Sequence, residues 1–153
     1  MQKILILYAS QTGMTMDIAT ILHGRLVEAM PTNQFDLQNV RDIEPQQLTE
    51  YPLVVFGGST WDHGINSPDG EEFLERLVNT KPDLSANQFA LFGVGDSAYP
   101  EFCAALPLMQ ADIETCGGHV DKDFFTIDGF ANEAIMTDLI AWATQFIEKQ
   151  STV

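Results

Sequence analysis

Residues 3–15 read KILILYASQTGMT, and the reading of this stretch decides the fold. The run 4–9 is apolar without alternation, which marks a strand buried on both faces. It stops at Ser10-Gln11-Thr12-Gly13-Met14-Thr15, and a helical pattern follows at once, with Ile18, Leu22, Leu26 and Ala29 on one face. A buried strand that feeds a hydroxyl-rich turn and a helix N-terminus presents backbone N–H groups to an anion. Ser10, Thr12 and Thr15 add three hydroxyls. No lysine or arginine lies in the turn, so it is neither a P-loop nor a G-x-G-x-x-G dinucleotide turn. The same residue types also suit an ordinary helix cap, so the turn by itself leaves both readings open.

Outward from this stretch the alternation continues. Strands are expected over 34–37, 53–56, 89–94 and 119–126, with helices over about 15–29, the 70s, 104–115 and 132–149. Met30-Pro31-Thr32-Asn33, Lys81-Pro82-Asp83 and Gly117-Gly118 are the helix stops. Near-continuous apolar strands separated by helices give an α/β parallel sheet covered on both faces, a three-layer sandwich joined by right-handed crossovers. The inward helical residues are Phe73, Leu74, Leu77 and Val78, then Ala105, Met109 and Ile113, and last Ile135, Leu139, Trp142 and Phe146. No linker or repeat divides the chain, and 1–153 is expected to form a single domain.

In such sheets ligands bind beyond the carboxyl ends of the strands. Every unusual loop here follows one: 10–15, 57–64 and 95–102. The second reads Gly57-Gly58-Ser59-Thr60-Trp61-Asp62-His63-Gly64. A tryptophan beyond a strand end, among polar residues, either covers a planar ligand or packs the loop. The third reads Gly95-Asp96-Ser97-Ala98-Tyr99-Pro100-Glu101-Phe102-Cys103 and brings a second aromatic. Asp96 and Glu101 beside a bound ring would disfavour further negative charge on it and lower its potential; the alternative is a solvated acidic loop.

Composition sets the surroundings. The 153 residues carry 22 acids and 7 Lys/Arg, a net charge of −15. Such a surface repels nucleic acid and anionic membranes and attracts basic partners. Residues 57–128 hold 13 of the acids against 3 bases, so the excess sits with the second and third loops. Cys103 and Cys116 have no metal-ligand spacing and suggest no disulfide framework, no metal site is expected, and a reducing cytoplasm is the expected compartment. No signal peptide or membrane span is read in the sequence.

Taken in order, Ser10-x-Thr12-Gly13-x-Thr15, Gly58-Ser59-Thr60-Trp61 and Gly95-Asp96-Ser97-x-Tyr99-x-x-Phe102-Cys103 resemble the FMN loops of flavodoxins, at comparable separations and over essentially the whole chain. With no long insertion over 120–128, the resemblance is to the short-chain type. It implies a flavodoxin-like sandwich with a five-stranded parallel sheet in the order 2-1-3-4-5. It also implies that Ser10, Thr12, Gly13 and Thr15, with the amides of Gln11 and Met14, bind the FMN phosphate. Ser59 and Thr60 would contribute near phosphate and ribityl, and Trp61 and Tyr99 would flank the isoalloxazine. Backbone groups of 94–103, including those of Gly95, Asp96 and Phe102, would hold the pyrimidine edge, with Cys103 packing beside the flavin without redox chemistry. Many relatives place glycine or asparagine after the loop tryptophan, where a peptide flip offers a carbonyl to flavin N5; this chain has Asp62, followed by His63 and Gly64. Aspartate reaches positive φ less readily than glycine, which implies a weaker N5–H contact and a less stabilised one-electron-reduced flavin. His63 is either an exposed loop histidine or a source of pH-dependent potential.

The function implied is that of a monomeric, low-potential electron carrier between a reductase and acceptor enzymes, with basic redox proteins as partners. The alternative is a flavin-dependent NAD(P)H:quinone or small-molecule reductase on the same fold. A receiver-type signalling domain is argued against, because the third strand ends in Gly57-Gly58 rather than in a phosphoacceptor aspartate.

Overall fold

The computed structural model describes residues 2–9, 13–60, 66–96, 103–129 and 131–151. The elements run β1 (Lys3–Tyr8), α1 (Met14–Ala29), β2 (Gln34–Asn39), two short 3-10 helices (Val40–Asp42 and Pro45–Glu50), β3 (Leu53–Ser59), α2 (Pro68–Thr80), β4 (Gln88–Gly95), α3 (Ala105–Thr115), β5 (His119–Val120), β6 (Phe125–Asp128) and α4 (Glu133–Ser151). Strand order is β2-β1-β3-β4-β5, with β6 also paired to β4 and every ladder parallel. The expected order is therefore the observed one.

Two apolar cores, one on each face of the sheet, follow from the two-residue period of the strands. Leu5, Leu7, Val54, Phe56, Phe89 and Leu91 point toward α2 and α3. Ile4, Ile6, Leu53, Val55, Ala90 and Phe92 point toward α1 and α4. Such strands have no solvent side, which explains the lack of alternation in the sequence.

Four details differ from the sequence reading. First, β3 does not stop at Gly57-Gly58 but runs through both glycines to Ser59. Gly57 pairs with Phe92, and a Cβ there would lie 2.1 Å from the Phe92 ring, so the glycine makes room for an aromatic on the next strand rather than ending its own. Second, the fifth strand position is split. Val120 pairs with Phe89 and Phe125 with Phe92, so the four residues 121–124 stand opposite only Ala90 and Leu91. This two-residue excess is a bulge, and α4 pins it: Trp142 Nε1 donates to Asp123 O at 2.7 Å and Lys149 Nζ meets Asp121 Oδ2 at 2.8 Å.

Third, that contact corrects the reading of Trp142 as core. Its ring is half-buried, tilted against Phe125 at 5.7 Å, and the deeply buried residues of α4 are Met136, Leu139, Ala143, Phe146 and Ile147, with Ile135 only partly covered. Fourth, the polar connection 41–52 is not irregular. The 3-10 helix from Pro45 starts with a reciprocal cap in which Gln47 Oε1 accepts from Glu44 N–H at 2.8 Å.

Candidate functional site

The carboxyl ends of the central strands lie side by side. Tyr8 closes β1 opposite Gly57, Ser59 on β3 pairs with Val94, and Gly95 on β4 pairs with Asp128 on β6. Ala9 N–H donates to Gly57 O at 3.0 Å and Gly129 N–H to Gly95 O at 2.8 Å, which fixes the departure of the chain from both strand ends. All three sequence-predicted loops thus leave one edge of one sheet.

At the first loop, Gly13 is the N-cap residue of α1 with φ +91, a left-handed conformation that favours glycine. Among the described residues no side chain caps this helix. A helix N-terminus carries backbone N–H groups without intrahelical partners, the kind of terminus that suits an anion. Thr15 is 2% exposed, whereas Met14 is 39% exposed on the rim. A Cβ on Gly13 would meet nothing within 4 Å, so the glycine is needed for its φ and not for space.

At the second loop, Thr60 is tied on two sides. Its N–H donates to Val94 O at 3.0 Å, and its Oγ1 accepts from Ala105 N–H at 3.3 Å, at the start of α3. Thr60 also forms an antiparallel bridge with Asn66, so the segment between them leaves and returns through a single pair. Asn66 N–H donates to Glu71 Oε1 at 2.9 Å, and Ser67 Oγ accepts from Gly70 N–H at 3.4 Å as the cap of α2. At the third loop, Cys103 sits at φ +53 with its buried Sγ 3.7 Å from Gly93 O. Burial pushes its thiol up to about 11, with the carboxylate of Asp128 adding to the shift, so it stays protonated and is no nucleophile at neutral pH.

The structure therefore brings Gly13, Met14, Thr15, Ser59, Thr60, Gly95, Asp96 and Cys103 to one end of the sheet. Ser10, Gln11, Thr12, Trp61, Asp62, His63, Gly64, Tyr99 and Phe102, with Glu101, lie outside the described residues. One residue was missed by sequence reasoning. Asn66 is 3% exposed, and among the described residues its Nδ2 has no hydrogen-bond partner. In sequence Asn66 is one polar residue before a helix cap, and only its burial distinguishes it.

Arg25, Arg41, Arg76 and Lys149 are each held by a carboxylate, of Glu133, Asp69, Glu44 and Asp121 respectively. Among the described residues there is no cluster of side chains fit to hold a metal ion and no helix long and apolar enough to cross a membrane.

The family model for flavodoxin matches residues 6–142. "Probable flavodoxin 2" of Bacillus subtilis is 34% identical over 151 residues, covering 97% of each chain. A flavodoxin of Maridesulfovibrio salexigens is 31% identical over 160 residues, covering 97% of this chain and 99% of its own. Among solved structures, oxidised Flavodoxin 2 from Bacillus cereus superposes with a TM-score of 0.85 at 27% identity, over 96% of this chain and 99% of that one. An anion-ready helix terminus at the end of β1, two further loops at the neighbouring strand ends and these matches agree, and the chain belongs to the flavodoxin family.

Proposed function

We infer that this chain works as a one-electron carrier, a single FMN-binding domain that takes electrons from a reductase and delivers them to acceptor enzymes. As a flavodoxin it is an FMN-containing electron-transfer protein, and the flavin supplies the redox chemistry. The residues present fit that cofactor: a helix N-terminus behind a left-handed glycine suits the phosphate, and near Ala9, at the end of β1, lies the buried Asn66 donor, without a partner among the described residues.

In this reading Gly13, Met14 and Thr15, with Ser10, Gln11 and Thr12, hold the phosphate. Ser59 and Thr60 hold the segment next to it. Trp61, Asp62, His63 and Gly64 form the wall on one side of the ring, and Gly95, Asp96, Tyr99, Phe102 and Cys103 the other. The protein's own part is to bind, to exclude water and to set the charge around the ring. The acid excess of 57–128, 13 acids against 3 bases, steers basic redox partners in a reducing cytoplasm, where the carrier is a monomer.

The observation that carries this reading is the left-handed Gly13 that opens α1 at the end of β1. The test is the purified protein titrated with FMN. Bound FMN with a visible flavin spectrum, and NADPH oxidation only when a separate reductase is added, are expected. A protein that takes up no FMN, or one that oxidises NADPH unaided, would sink the carrier reading; the second result would favour a flavin reductase.

A further inference from the structure

We propose that Asn66 is a cofactor-binding residue, and that its carboxamide Nδ2 donates a hydrogen bond to the phosphate of FMN. This rests on the FMN reading above and adds to it a residue outside the three loops. The argument begins with an imbalance. A carboxamide buried to 3% exposure whose donor meets no acceptor carries a desolvation cost without return, and folded proteins leave few such groups. Where one persists at the edge of a binding site, a ligand atom is the acceptor that removes the cost.

Its place identifies the atom. The Asn66 Cβ lies 3.2 Å from where a Cβ on Gly70 would stand, and that same point is 3.4 Å from the Cβ of Ala9. The Asn66 Oδ1 lies 3.7 Å from where a Cβ on Gly58 would stand. The carboxamide thus fills the corner between the end of β1, the end of β3 and the first turn of α2. Ala9 is the residue from which the chain enters the anion turn, so the part of the cofactor nearest this corner is the phosphate and not the ring. Gly70 keeps the corner open: a Cβ there would crowd the Asn66 Cβ at 3.2 Å, whereas one at Gly58 would meet Oδ1 in ordinary contact.

The backbone of Asn66 is fixed independently of its side chain. The bridge to Thr60 holds it on one side, and Glu71 Oε1, accepting its N–H at 2.9 Å, holds it on the other. The carboxamide is therefore carried at a set position by main-chain bonds, and a substitution of similar volume changes the donor while those bonds remain.

Asn66→Leu in the full chain is the test, with Asn66→Ala as a second variant of smaller volume. The apoprotein should unfold at the same or higher denaturant concentration than wild type, because an unmatched buried donor has been removed. FMN affinity, read by fluorescence quenching, should fall about tenfold, and the affinity for riboflavin, which lacks the phosphate, should stay within about twofold. The ³¹P resonance of bound FMN should shift in both variants. Unchanged FMN affinity, or equal losses for FMN and riboflavin, overturns the proposal. If wild type itself fails to bind FMN, the functional reading has failed before any variant is compared.

Discussion

Four helices begin at the same end of this sheet, and the N-termini of the first three are finished in three ways. The start of α2 is closed by its own neighbours: Ser67 caps it, Pro68 opens it, and Glu71 reaches back to Asn66 N–H. The start of α3 has no local side-chain cap and instead receives the Thr60 hydroxyl from the end of β3. Among the described residues the start of α1 has neither; its cap residue is a glycine at φ +91. All three carry the same partial positive charge. At α2 and α3 the described residues show that charge met within the chain, by Ser67 and by Thr60.

The comparison can be broken in order of expected effect. Gly13→Val forces a branched side chain into a left-handed backbone, which costs about 1–3 kcal/mol. Because the turn relieves that strain by moving, FMN affinity should fall about 10–100-fold, read by titration of the apoprotein. A loss below twofold would mean that α1 is not the anion terminus.

Thr60→Val removes the remote cap of α3 and should lower stability by about 1 kcal/mol in urea unfolding. It should also weaken FMN several-fold, since Thr60 anchors the second loop as well. Ser67→Ala is the matched control. It should cost about 1 kcal/mol of stability in the same assay and leave FMN affinity within about twofold, because the Ser67 hydroxyl is turned to the backbone N–H of Gly70 within its own helix. If both threonine and serine variants weakened FMN equally, the distinction between the two termini would be lost.

A further effect is set by pH at the entry to α3. The Cys103 thiol is pushed up to about 11 by burial, whereas a free thiol titrates near about 8.5. Between those values the unfolded chain binds fewer protons than the folded one, so stability falls as pH rises through that window and is complete below it. Unfolding curves from pH 8 to pH 11 should show this decline, and Cys103→Ala should flatten it. Cys103 should also resist alkylation at pH 8 in the folded protein.

Much of this was legible from side-chain pattern. The uniform apolar strands gave a buried parallel sheet, and the position of every odd loop after a strand gave the binding edge. Glycine was misread at 57 because in one dimension it signals a turn, whereas its reason here is the ring of Phe92 on another strand. Trp142 was misread because helical spacing places a residue on a stripe to within about a residue, and the stripe of α4 is centred on Met136, Leu139 and Ala143 instead. Asn66 was invisible because polar residues before helix caps are ordinary, and only the packing of Ala9, Gly58 and Gly70 around it shows that its donor is buried.

The sequence by itself determined the layers, the strand order implied by its likeness to flavodoxins, the acid excess and which loops leave the carboxyl ends of the strands. These depend on local period, composition and motif, which neighbouring residues carry. Only the tertiary structure decided which helix opens on a left-handed glycine, which is capped from across the sheet, and where a buried donor has no acceptor among the described residues. Those are relations between residues far apart in the chain. A hydrogen bond such as that of Thr60 with Ala105, 45 positions away, leaves no trace in the spacing of either.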